Sequence, residues 1–179
     1  MDWIDTIENR KQTFAWSDKI PDKNIILEVL EQLHYYCPSK KDEVPYSITL
    51  LDFEDKELRY KIFKDTYCSS DVDDDRRNPQ VLAPYLIGFA PRETDPPHDC
   101  DPILEIGMAA MFFTLSAASK GLDTGYCGCY HGGDYTILIG VGYAGEPRGL
   151  YYNPILKQYM NAPGVNRGNK PDMEEYMNV

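Results

Sequence analysis

The stretch from Ile103 to Ala118 constrains the fold of this chain more than any other. It carries one formal charge, Glu105, and is otherwise apolar or small. Asp101-Pro102 precedes it, an N-cap residue followed by a proline at the first helical position. Lys120-Gly121 follows, and Gly121 suits the left-handed residue that closes a helix. A helix that is apolar on nearly every side is expected to be buried. The stretch is too short and too interrupted by Gly107, Thr114 and Ser116 to be expected to span a bilayer. The chain is therefore expected to wrap its other elements around one central helix.

Those other elements alternate without a regular βαβ rhythm. Trp3, Ile4 and Ile7 mark a short helix within Met1 to Lys11. Ile25, Ile26, Val29, Leu30 and Leu33 mark a second helix from Asp22, expected to stop at Cys37-Pro38 because a residue before proline avoids αR. Tyr46 to Phe53 reads as a strand, Glu54 to Tyr67 as a helix with Leu58, Ile62 and Phe63 inward, and Leu82 to Ala90 as a strand. Ser69 to Arg77 reads as a charged loop and Pro91 to Pro102 as a proline-rich acidic loop. Two strands, Thr124 to Tyr130 and Tyr135 to Tyr143, follow the long helix. The tail from Glu146 to Val179 reads as long and irregular, with a short helix near Asp172 to Met177. Such an order predicts an α+β domain whose sheet is covered by helices.

At 179 residues, one domain over 1–179 is expected. Against 29 acidic residues there are 18 basic ones, a net charge of −11. A surface so acidic repels phosphate backbones, so nucleic acid is not an expected partner, and a bound phosphate needs a local basic pocket. The first ten residues carry Asp2, Asp5 and Glu8, the wrong chemistry for a signal peptide. With five cysteines, an odd number, the expectation is reduced thiols, a cytoplasmic location and no membrane.

Six segments, in order, resemble the FMN-dependent nitroreductase family. They are Asn9-Arg-Lys-Gln-Thr-Phe-Ala-Trp16 with Ile20-Pro-Asp-Lys-Asn24; Cys37-Pro-Ser-Lys-Lys-Asp-Glu-Val-Pro-Tyr46; and Asn78-Pro-Gln-Val-Leu-Ala-Pro-Tyr-Leu-Ile87. The long helix with its Ala-Ala-Ser-Lys-Gly-Leu-Asp-Thr-Gly125 ending, Ile137-Leu-Ile-Gly-Val-Gly-Tyr-Ala-Gly-Glu-Pro147 and Asn169-Lys-Pro-Asp-Met-Glu-Glu175 complete the set. No single segment is specific; their order and spacing carry the resemblance.

The resemblance implies a compact member of that fold: a central, mostly antiparallel sheet flanked by helices, a long buried helix and an extended C-terminal tail. It implies a homodimer with FMN at the interface, reduced by NADH or NADPH and reoxidised by a small nitro, quinone or similar electron-poor acceptor. The flavin does the chemistry, so no catalytic side chain and no metal is expected. Arg10 matches the family's first phosphate-binding arginine, and Lys11 and Gln12 its contacts to the ribityl chain and ring edge. Arg167 and Lys170 would complete the phosphate clamp. Pro38, Ser39, Lys40 and Asp42 would approach the flavin of the partner chain. Tyr126, Cys127 and Gly128 would lie beneath the ring, the Gly128 N–H donating to flavin N5.

The chain departs from the family pattern at several points. Asp42 and Val44 stand where relatives have Asn and Gln, and Phe14 replaces a second basic residue. The Tyr130 to Asp134 and Pro91 to Pro102 connections are short. The rival reading is a flavin-binding or interaction module on the same fold that has lost turnover. A third reading sets Cys127, Cys129, His131, Cys100 and His98 as a metal cluster, against buried core thiols. Asp71, Asp73 and Asp75 open like a calcium loop, but Arg76 and Leu82 stand where it needs Gly and Glu. Tyr35, Tyr36, Tyr151 and Tyr152 read as interface or rim residues, and Met108, Met111, Phe112 and Phe113 as core or dimer contact.

Overall fold

A computed structural model describes residues 2–67, 77–94, 97–145, 150–153 and 158–161. Four helices are described: α1 (Trp3–Asn9), α2 (Lys23–Tyr36), α3 (Lys56–Lys64) and α4 (Pro102–Ser119). Each begins the same way. The carboxylates of Asp2, Asp22, Asp55 and Asp101 accept backbone N–H bonds from Asp5, Asn24, Leu58 and Ile103. Part of the acidic excess thus sits where helix N-termini favour negative charge.

The main sheet runs β1 (Tyr46–Asp52), β2 (Tyr85–Pro91), β3 (Asp123–Cys127) and β4 (Ile137–Gly142), in spatial order β1-β2-β4-β3. Every pairing in it is antiparallel. Strand alternation divides the core in two. On one face Tyr85, Ile87, Phe89, Ile139 and Val141 meet Ile26, Val29 and Leu33 of α2 and Ile106, Ala109, Phe113 and Ala117 of α4. On the other, Leu51, Leu86, Leu138 and Cys127 meet Ile62 and Phe63 of α3 and Val81 and Leu82. The sheet is covered on both sides, so β2 reads as a continuous apolar run.

Arg59 sits at the heart of the second core with no exposed surface. Its guanidinium donates to the carbonyls of Leu51 (3.2 Å), Val81 (2.6 Å) and Ala83 (2.6 Å). Burial pushes its pKa down to about 10, with Asp52 and Asp55 opposing, so it stays charged at neutral pH. It ties α3 to β1 and to the turn that enters β2. Sequence periodicity shows α3's apolar stripe but not that an arginine lies within it.

Three expectations need correcting. The strand from Leu82 begins instead at Tyr85; Pro79–Leu82 forms a 3-10 turn with Pro79 at its start, and Pro84 has no N–H for a ladder. The tail is not wholly irregular: β5 (Leu150–Asn153) and β6 (Gln158–Asn161) pair antiparallel. The helix near Asp172 to Met177, and Ser69 to Arg77 apart from Arg77, lie outside the described residues.

The largest correction concerns α4. Length and composition alone would let its 18 residues cross a bilayer, but 44% of them are buried within the protein. Its inner face is the centre of the first core, as expected. Its outer face is not buried: Leu104 is 66% exposed, and Ile103, Met108 and Met111 lie open beside it. These residues recur at helical spacing, so they form one stripe. α1 packs against α4 and extends that apolar surface with Trp3, Ile4 and Ile7.

Candidate functional site

The segment after α1 builds the first half of the site. The Arg10 N–H caps α1 by bonding the Thr6 carbonyl (3.1 Å). The chain then runs parallel to the edge strand β3, with Gln12 opposite Thr124 and the Thr13 N–H on the Thr124 carbonyl (3.0 Å). Gln12 uses both ends of its amide on one residue: Nε2 donates to the Tyr126 carbonyl (2.7 Å) and Oε1 accepts from the Tyr126 N–H (2.9 Å). The side chain thus does the work of a paired strand at an otherwise open edge. Gly125 leaves no room for a Cβ, because the Thr13 carbonyl and the Gln80 side chain press against it. The position Gln12 was given, at a flavin's ring edge, is one where its amide already serves the strand.

Arg10 forms no ion pair among the described residues, although the chain is strongly acidic. Its guanidinium is near enough to favour ionisation of the Tyr126 phenol, against a larger upward push from burial. The Tyr126 hydroxyl lies 3.5 Å from Thr114 Oγ1 on α4. Lys11 is exposed. Alternation then separates the next residues. Cys127 points into the second core and is 2% exposed, whereas Gly128 is exposed with open space where a side chain would be. The structure thus brings Gln12 and the Arg10 charge to Tyr126, while Lys11 lies toward the start of β3, Gly128 follows its other end, and the Cys127 thiol is turned away.

The second half is the loop from Pro38 to Val44. The Lys40 N–H donates to Glu105 Oε1 (3.0 Å), seating the loop on the first turn of α4. Ser39 Oγ accepts from the Val44 N–H (3.0 Å). Lys40 Nζ donates to the Asp99 carbonyl (2.5 Å), and Lys41 Nζ pairs with the Asp99 carboxylate (2.7 Å). Asp42 and Pro38 are exposed. Glu105 and Thr114 are nine positions apart on α4, so the loop and the Tyr126 group are separated by about 13.5 Å along the helix axis. Within one chain these two sets are not brought together. Arg167 and Lys170 lie outside the described residues.

Sequence reasoning missed Glu43 and understood Glu105 only as the one charge in an apolar helix. Glu43 Oε2 accepts from the Asp99 N–H (3.1 Å) and lies 3.3 Å from His98 Nδ1 and 3.8 Å from Cys100 Sγ. The Asp99 N–H first, then His98 and Lys41, hold its carboxyl below the usual range. The residues of the metal reading are drawn elsewhere. His98 and Cys100 serve Glu43, while His131 stacks on Tyr67 at 4.0 Å between ring centres and meets its carbonyl at 2.9 Å. Among the described residues no group of three such side chains could hold a metal ion. Cys37, Cys100, Cys127 and Cys129 form no disulfide among the described residues.

No family model and no curated protein sequence matches the chain. Solved structures do. A nitroreductase family protein from Streptococcus pneumoniae TIGR4 is similar over 99% of this chain and 100% of its own, with a TM-score of 0.69 and 13% identity. The chain has the nitroreductase fold. An FMN and NADPH-dependent nitroreductase from Sphigopyxis sp. strain HMH is similar over 100% of this chain and 99% of its own, with a TM-score of 0.63 and 13% identity. An oxidized iodotyrosine deiodinase bound to FMN and 3-iodo-L-tyrosine matches over 81% of this chain and 91% of its own, with a TM-score of 0.59 and 18% identity. The nitroreductase fold therefore does not fix a single reaction, and the α+β expectation with its antiparallel sheet is met.

Proposed function

We propose that this protein is an FMN-dependent oxidoreductase, working as a homodimer. It would take electrons from NADH or NADPH and pass them, ping-pong fashion, to a small nitro, quinone or similar electron-poor acceptor. The observation that carries the proposal is the basic pair Arg10 and Lys11, without an ion pair among the described residues, leading into the segment that lies along β3, with the Arg10 charge close to the Tyr126 hydroxyl. In a chain of net charge −11, a guanidinium with no carboxylate partner among the described residues is a local basic group apt for a phosphate.

Bound there, the flavin would supply the redox chemistry. Arg10 would hold its phosphate, with Arg167 and Lys170 assigned to the same anion, and Lys11 would face the ribityl chain. The Gly128 N–H would donate to the ring at N5, where charge changes on reduction. Tyr126, held by Gln12 on one side and Thr114 on the other, would keep the strand end fixed beneath the ring. The acceptor then needs no acid or base from the chain. Pro38, Ser39, Lys40 and Asp42 would come from the second copy, which supports the dimer: the loop lies too far along α4 to reach Tyr126 of its own chain. The exposed stripe of Ile103, Leu104, Met108 and Met111, with Trp3, Ile4 and Ile7, is the surface a second copy would cover.

The test is an absorption spectrum after incubation with FMN and desalting, followed by anaerobic addition of NADH or NADPH. Flavin retained at about one per chain, bleached by the nucleotide and restored by a quinone or nitroaromatic, is the expected result. Flavin retained but never bleached would favour the rival binding module. A colourless protein would overturn the cofactor assignment.

A further inference from the structure

The loop from Pro38 to Val44 is held in a conformation its own sequence disfavours. Lys41, Asp42 and Val44 have φ of 56°, 57° and 45°, in the left-handed region. Asp tolerates that region, but a β-branched valine there is strained. No glycine lies between Cys37 and Tyr46 to relieve it. Something outside the loop must hold it.

Glu43 stands at the centre of what does. It lies between the left-handed residues, and its own N–H bonds the Lys40 carbonyl (3.1 Å), closing the tight turn. Its carboxylate gathers the Asp99 N–H, His98 and Cys100 from the connection before α4. Its carbonyl accepts from the Arg92 guanidinium (2.7 Å) at the end of β2. One residue therefore joins the loop to two other segments through both side chain and backbone. Glu105, 4% exposed with Oε2 unpartnered, is the second anchor through the Lys40 N–H.

We infer that Glu43 is a positioning residue: its carboxylate clasps residues 98–100 and so holds Lys41, Asp42 and Val44 in the left-handed form that presents Pro38 to Asp42 outward. The inference rests on the FMN reading only for what that loop faces. The clasp itself is a property of the chain.

Two measurements on the whole protein decide it: amide hydrogen exchange at Asp99 and Lys40, and the FMN dissociation constant from quenching of flavin fluorescence. Glu43→Ala removes the clasp; exchange at both amides should quicken and FMN binding should weaken, each by roughly tenfold. Glu43→Gln keeps an acceptor oxygen and should fall between. Val44→Gly added to Glu43→Ala should recover most of the affinity, because glycine takes positive φ without strain. A loss caused by general loosening would not be rescued by a glycine. Unchanged exchange in Glu43→Ala, or no recovery in the double variant, overturns the inference. If the wild-type protein binds no FMN while Glu43→Ala still quickens exchange, the clasp stands and the cofactor reading falls.

Discussion

The two faces of α4 are both apolar and have opposite fates. Ile106, Ala109, Ala110, Phe113 and Ala117 have no exposed surface, whereas Ile103, Leu104, Met108 and Met111 lie open. Small residues dominate inside, where the helix crosses β2, β3 and β4 closely; long flexible ones dominate outside. Apolarity alone does not tell a helix which side is covered within its own chain. Size does, because close packing against a sheet selects alanine, while methionine and leucine adapt to a partner surface. The same contrast separates two arginines. Arg59 is buried with three carbonyl partners, and Arg10, before the segment that lies along β3, has no ion pair among the described residues.

The comparison can be broken in order of effect. Phe113→Ala, inside, should cost about 3–5 kcal/mol of unfolding free energy in a denaturant titration. A loss under 1 kcal/mol would mean the inner face is not the core it looks to be. Arg59→Ala should come next, at about 3 kcal/mol, since three buried carbonyls lose their donor. Leu104→Glu, outside, should leave each chain folded but halve the mass seen by light scattering; an unchanged mass would remove the second copy from that face. Arg10→Ala should leave stability nearly unaltered and weaken FMN binding about tenfold or more, the loss of a charge-assisted contact. Equal effects at Arg10 and Arg59 on unfolding would erase the distinction between them.

The smallest effect is one of pH. The Glu43 and Asp99 carboxyls are both held below their ordinary values of 4.5 and 3.8, Glu43 first by the Asp99 N–H and Asp99 first by Lys41. A carboxyl with a depressed folded-state pKa contributes stability that is present above its unfolded value and lost as pH falls through the folded one. The order of the 38–44 loop should therefore hold at neutral pH and fade only below about pH 4. Amide resonances of Lys40 and Asp99 that shift between pH 7 and 5 would contradict this.

Much of the fold was legible because it is written locally. Asp101-Pro102 and Gly121 bracket α4 through capping and left-handed closure, and Gly121 takes φ 76°. Alternation and apolar runs place the four main strands within a few residues. Arg10, Lys11, Gln12, Tyr126 and Gly128 were named together only through resemblance, since no periodicity joins residues more than a hundred positions apart. That Gln12 brackets the Tyr126 backbone follows from β3 being an edge strand, which is a property of strand order. Glu43 was invisible for a like reason: a carboxylate in a loop looks solvated until the segment at His98 to Cys100 is folded over it.

The sequence by itself determined where helices begin and end, which residues prefer the interior, and that a phosphate-binding group would need its own basic pocket. Those follow from backbone sterics, capping and charge, which act over a few residues. Tertiary structure alone decided the order β1-β2-β4-β3, which face of α4 is left uncovered, and the burial of Arg59 on three carbonyls from two segments. It also decided that Val44 and its neighbours are held with positive φ. These depend on which distant surfaces meet, and only the closed chain brings the groups close enough for packing and hydrogen bonding to outweigh local preference.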